Sequence, residues 1–285
     1  MKKYLRLQTV GDDECLYHYT HGSSLMNILR TEKLYATKSS FLNDTNELDY
    51  ITRVAADVIG EIERPEWRQI LMRQIIDTME EVKRHDTFVL SFSTDRDSIT
   101  LWAEFGEETG YNVGFGGREL IRRIGSNQEI YCHGRVIYDT DRQRKMIRHL
   151  LTEEFPARTG KTFEELMEAE AASPGTDEFG RLRTRLQKAL NIYAMFFKQA
   201  EFAPENEYRV AFRNPDRRRI CFREKDGFLL PYIEIDLSGS GCLPVMRVTV
   251  APKNHVDLAK KGMVQYLAHM NIKAEVALSE LKLRY

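Results

Sequence analysis

Cys15-Leu16-Tyr17-His18-Tyr19 reads as a short strand of β-favouring residue types. Thr20-His21-Gly22-Ser23 then turns the chain. Ser23 or Ser24 can cap a helix whose apolar stripe is Leu25, Ile28 and Leu29. Lys33 to Thr37 is a second short strand. The chain therefore opens as strand, helix, strand, which points to helices packed on a sheet. Outward from there, Asn43 or Thr45 is a candidate cap for the next helix. Residues 47–84 read as two helices broken near Pro65. Ile51, Val54, Ala55, Val58, Ile59 and Ile62 line the first, and Trp67, Ile70, Leu71, Ile75 and Met79 the second.

Thr87-Phe88-Val89-Leu90-Ser91-Phe92-Ser93 alternates and is expected to be a strand. Asp97 or Ser98 caps a short helix through Leu101, Trp102 and Phe105, ended by Gly110, and residues 111–115 form another strand. Strand character returns at 130–138, and a helix is expected over 141–154. Residues 156–180, rich in Pro, Gly, Thr and Glu, read as an insertion, followed by a helix over 182–198. The C-terminal part reads as strands at 207–213, 220–223, 228–236, 245–250 and 273–278, interrupted by a helix over 255–270. Strands at both ends around a helical middle predict an α+β fold with a split or bent mixed sheet. One domain is expected over 1–285, with a helical insertion near 140–200.

The chain has 285 residues, 42% hydrophobic and 30% charged, with a formal net charge of −1. That balance lacks the global basic field of a nucleic-acid binder. Cys15, Cys132, Cys221 and Cys242 make no close pair of the kind a structural zinc site uses, so no metal is expected. Met1-Lys2-Lys3-Tyr4 is basic but no apolar run follows, so neither a signal peptide nor a membrane partner is expected. Reduced thiols in a cytoplasm are the corresponding expectation.

Three constellations can carry chemistry. His18, with Tyr19 and Thr20, stands at a strand end before a helix and can offer ring nitrogens to a ligand; the ordinary alternative is a histidine bonded to a nearby carbonyl. Ser91 and Ser93 share a strand face, with Trp102 downstream, and suit a planar amide-bearing ring that wants stacking and directed hydrogen bonds. Their ordinary alternative is a strand end over a core tryptophan. Glu205 and Glu207 sit two residues apart beside Arg209 and are expected to share a strand face. The basic stretch Arg213, Arg217-Arg218-Arg219 and Arg223 is usually a solvated hairpin and can otherwise contact phosphate. The glycines at 114, 116 and 117 lack the spacing of a Rossmann fingerprint.

Leu16-Tyr17-His18-Tyr19-Thr20, Phe41-Leu42-Asn43-Asp44, Ser91-Phe92-Ser93 with residues 98–102 and 111–115, and Glu207-Tyr208-Arg209 occur in an order that resembles the bacterial domain of unknown function 2971 family. That family in turn resembles the ADP-ribosyltransferase superfamily. The resemblance implies an ADP-ribosyltransferase-like sheet and NAD as substrate. His18 would hold a ribose hydroxyl, Ser93 or a nearby aromatic would orient nicotinamide, and Glu207 would bond the 2′-hydroxyl of the nicotinamide ribose. Glu205 would match the second acidic residue of arginine-modifying transferases. Tyr19, Trp102 and Tyr111 compete for the stacking role. A fixed carboxylate would then stabilise the oxocarbenium-like state formed as nicotinamide leaves. The implied activity is transfer of ADP-ribose to an unknown protein or nucleic-acid acceptor, in a toxin or phage-defence effector. The alternatives are a non-catalytic nucleotide- or protein-binding module, or a nucleic-acid-processing enzyme. The transferase reading requires His18, Ser93 and Glu207 to line one pocket, with His18 and Glu207 on the same face of the sheet.

Overall fold

The computed structural model describes residues 7–42, 47–106, 110–154, 156–225, 227–252 and 256–281. In chain order the elements are β1 (Cys15–His21), α1 (Gly22–Thr31), β2 (Lys33–Lys38), α2 (Glu47–Gly60), α3 (Pro65–Lys83), β3 (Thr87–Ser93), α4 (Ile99–Leu101), β4 (Gly110–Gly116), α5 (Gly117–Asn127) and β5 (Cys132–Arg135). There follow α6 (Thr140–His149), α7 (Pro156–Thr159), α8 (Phe163–Ala172), α9 (Asp177–Phe196), β6 (Glu207–Arg213), β7 (Ile220–Lys225), β8 (Phe228–Asp236), β9 (Val245–Val250), α10 (Val256–His269) and β10 (Glu275–Leu278). The result is a mixed α+β chain with a large open sheet. No described helix is long and apolar enough to cross a membrane.

Contacts divide the chain into two units. One is helical and holds Leu42–Asp86 and Val136–Phe202; the other holds Gln8–Phe41, Thr87–Arg135 and the chain from Ala203 onward, and contains the sheet. In the sheet unit the strand order is β10-β9-β4-β1-β3-β2-β8-β7, with β6 on β3 and β5 on β6. The pair β9–β10 is parallel; the other pairings are antiparallel. Alternation decides what each face carries. Leu16, Val113, Phe115, Phe88, Leu90, Phe92, Val210 and Phe212 point into one core, which Leu25 and Leu29 of α1, Leu120 and Ile124 of α5 and Leu267 of α10 close. Each such side chain contributes about 1.5–3 kcal/mol on burial.

α1 starts at Gly22, two residues earlier than a Ser23 cap would place it and three earlier than a Ser24 cap. β1 stays paired to β4 as far as His21↔Gly110, so the strand runs directly into the helix. His21 takes the N-cap place and makes no side-chain cap bond. At α4 the expected pair of caps resolves to Ser98, whose hydroxyl accepts from the Leu101 amide at 3.4 Å.

In the helical unit, Pro65 opens α3 as expected. The stripes of α2 and α3 pack with Met146, Ile147, Leu186, Leu190 and Tyr193 in a second core. Gln143, fully buried there, donates to the Ile137 and Lys198 carbonyls at 2.6 and 2.9 Å and accepts from the Tyr50 hydroxyl at 2.7 Å, so its burial is compensated. The stretch 156–180 is more helical than its composition suggests. Thr162 and Glu165 form a reciprocal capping box that starts α8. The Glu170 carboxylate then accepts the Gly175 and Thr176 amides, ordering the turn into α9. The expected caps Asn43 and Thr45 lie outside the described residues.

Candidate functional site

Three strands bring the sequence candidates together. β3 lies between β1, paired through Tyr17↔Ser93, and β6, paired through Ser91↔Arg209 and Ser93↔Glu207. Directly paired residues share a face, so Ser91, Ser93, Arg209 and Glu207 lie on one side of the sheet. Alternation along β1 groups Tyr17 and Tyr19 with that side, and Leu16 and His18 with Phe92 on the core side. His18 and Glu207 therefore start on opposite faces of the sheet, contrary to the expectation of one shared face.

On the same edge of β3 as β1, β2 pairs only through Thr37↔Val89 and Lys38↔Phe88. The two strands part along β3 and leave a notch at Leu90–Phe92. The His18 ring turns toward that notch: its Nδ1 lies 3.3 Å from the Ser91 carbonyl oxygen, and the ring meets Phe92 edge-on at 5.9 Å. A carbonyl only accepts, so Nδ1 carries the proton and Nε2 is left as an acceptor. Burial depresses the His18 pKa, the bond to the Ser91 carbonyl opposes this, and the Arg223 charge depresses it again, so the net shift favours the neutral ring.

Glu207 and Arg209 form a buried ion pair, with Arg209 Nε donating to Glu207 Oε1 at 2.8 Å. Glu205 does not share the strand face of Glu207. It ends a 3₁₀ turn, and Asn206, at φ 46°, breaks the alternation between them. The Ser93 hydroxyl donates to the Glu205 carbonyl at 2.7 Å and accepts from the Asp95 amide at 3.0 Å, which makes it a brace between two loops.

The aromatic candidates are also braces. The Tyr19 hydroxyl donates to the Asp95 carbonyl and accepts from the Ser98 amide, both at 2.9 Å, and its ring meets Trp102 edge-on at 4.6 Å. Trp102 is buried and donates through Nε1 to Asp97 at 2.7 Å. Asp97 also accepts from the Ser279 hydroxyl and the Glu280 amide, tying the C-terminal segment to this loop. Thr20 and Tyr111 pair across β1 and β4, and Tyr111 packs on the sheet core.

Arg223, which sequence reading placed only within a basic run, stands apart in the structure. Three of the other four arginines in that run have partners elsewhere: Arg213 lies over the Tyr131 ring, Arg218 pairs with Asp216, and Arg219 reaches the Glu234 carbonyl at 3.5 Å. Arg223 instead lies over Tyr35 and Tyr232, at 5.8 Å from each ring centroid, with Nη2 3.5 Å from the Thr37 hydroxyl. Its position opposite Leu230 on β7–β8, together with the pairing Thr37↔Tyr232, puts these four side chains on one sheet face.

A model of the family described as a protein of unknown function, DUF2971, matches residues 101–210. Over those residues the chain is similar to that family. The matched stretch holds Trp102, Tyr111, Glu205, Glu207 and Arg209, and leaves out His18, Tyr19, Thr20, Ser91, Ser93 and Arg223. No curated protein and no solved structure matches the chain significantly.

Proposed function

We propose that the sheet unit is a nucleotide-binding module that takes NAD at the notch between β1 and β2. One observation carries the reading: His18 is held neutral, with Nδ1 tied to the Ser91 carbonyl and Nε2 left as an acceptor beside a gap in the strand pairing. A neutral acceptor of fixed orientation suits a ribose hydroxyl. This is the role that the likeness to the ADP-ribosyltransferase superfamily implies for His18. Ser91 fixes the tautomer through its backbone. The side chains of Ser93, Tyr19 and Trp102 hold the surrounding loops and do not face the ligand.

A second reading, cleavage of the nicotinamide–ribose bond with transfer of ADP-ribose to a macromolecule, is favoured by the adjacency of β1, β3 and β6. That adjacency sets Ser93 opposite Glu207, but alternation puts His18 on the other face, against the same-face arrangement that this reading needs. The Arg209 guanidinium weighs against it, because it neutralises the carboxylate that would oppose the developing cation. A toxin or defence role belongs to this second reading.

Calorimetry of the full chain with NAD, run beside an assay for free nicotinamide, separates the two. Binding without nicotinamide release, weakened in His18→Asn, is the expected result, since asparagine keeps a donor for Ser91 and removes the Nε2 acceptor. Nicotinamide release that Glu207→Gln abolishes would establish the second reading. No heat and no release at millimolar NAD would overturn both.

A further inference from the structure

Arg223 is a half-buried cation whose surroundings, among the described residues, supply ring faces and a hydroxyl but no ion-pair partner. Burial lowers its pKa, and the neighbouring Tyr232 and Tyr35 rings oppose that shift only in part. The nearby carboxylate of Glu234, on the strand that carries Tyr232, is held by Lys33 at 2.6 Å. Tyr35 and Tyr232 pack together at 4.4 Å between centroids, and Asn27 donates to the Tyr35 hydroxyl at 3.4 Å, so the platform under the guanidinium is fixed. Among the described residues, Nε of Arg223 is buried with no hydrogen-bond partner. Ring faces attract a cation but do not take up its N–H donors. Taking charge from water without pairing it is costly, and a buried donor without an acceptor adds to that cost.

We infer that Arg223, Thr37, Tyr35 and Tyr232 form an oxyanion site for the phosphate of a nucleotide, and this deepens the NAD-binding reading on which the nucleotide part rests. The planar guanidinium matches a phosphate through two parallel N–H bonds, a fit that an ammonium group lacks. The Thr37 hydroxyl, now an acceptor for Nη2, can rotate to donate to a phosphate oxygen. Thr37 pairs with Val89, which puts this group on the sheet face of Ser91, while His18 starts on the core face and turns into the notch. Neutral His18 adds no second positive charge, which confines anion recognition to Arg223.

The test is calorimetry on the full chain with inorganic phosphate, AMP, ADP-ribose and NAD, and with nicotinamide riboside as a probe that has no phosphate. Wild type, Arg223→Gln and Arg223→Lys are compared after matched thermal melts. The expected result is binding of ADP-ribose and NAD that weakens about tenfold to a hundredfold in R223Q, and in R223K to a lesser degree. Nicotinamide riboside should bind all three equally. Inorganic phosphate binding lost in R223Q, with no binding of any nucleotide by wild type, would uphold the oxyanion site and overturn the nucleotide reading above. Equal affinities in wild type and folded R223Q, or no binding of any phosphate-bearing probe, would overturn the oxyanion site.

Discussion

Glu207 and Arg209, two residues apart on β6, hold each other at 2.8 Å with both side chains buried. Removing one partner leaves a charge in the interior. Arg209→Met is expected to cost about 3–5 kcal/mol, and the double variant Glu207→Gln, Arg209→Met is expected to recover part of that loss. Urea unfolding of the two single variants and the double variant checks this. Strictly additive losses would show that the two side chains are not coupled.

His18 predicts a pH dependence. Its folded-state pKa is depressed from about 6.5 by burial and by Arg223. Below the unfolded value the unfolded chain takes up a proton that the folded ring refuses. The stability contributed by His18 is therefore complete above pH 6.5 and falls as pH drops from there toward the depressed value. His133 is shifted in the same direction by burial and adds to the slope. His18→Asn is expected to flatten the pH profile of unfolding between pH 5 and 7; an unchanged profile would show that His18 titrates normally.

The Tyr19 hydroxyl bridges the Asp95 carbonyl and the Ser98 amide, and Ser93 braces Glu205 and Asp95. Tyr19→Phe and Ser93→Ala each strip the hydrogen bonds from partly buried backbone groups, at an expected cost of about 1–3 kcal/mol. NAD affinity should stay within about twofold. A large loss of affinity in either variant with unchanged melting would return the residue to the ligand site.

Gly117 opens α5 where a side chain has no room. A Cβ there would lie 2.5 Å from Val10 Cγ2 and 2.8 Å from the Glu14 carbonyl oxygen, which also accepts the Gly117 amide at 2.9 Å. Gly117→Ala is expected to destabilise by about 1–3 kcal/mol, because backbone cannot give way as a side-chain tip can. Gly262, with open space around its Cβ position, is the control and should tolerate alanine. Equal melting of the two variants would contradict the close packing at Gly117.

The element pattern was written locally. Alternation over Thr87–Ser93, the stripes on either side of Pro65 and the strand-helix-strand opening need only neighbouring residues, and the structure follows them. That Glu207 would share a face with Arg209 was likewise set by a period of two. Glu205 escaped the same rule because a single left-handed residue, Asn206, intervenes, and an asparagine tolerates that conformation without announcing it.

Tertiary structure alone decided which candidates are engaged in holding the fold. Ser93, Tyr19 and Trp102 carry the right chemistry for a site, but their hydrogen-bonding groups are taken by backbone and side chains that only folding brings close. Arg223 is one arginine among several in a basic run. Strand pairing set Arg223 over two tyrosines contributed by β2 and β8, whereas Arg218 pairs within its own turn with Asp216. Local periodicity determines the face on which a side chain starts. The partners it finds there come from strands distant in sequence, and their register depends on the whole sheet.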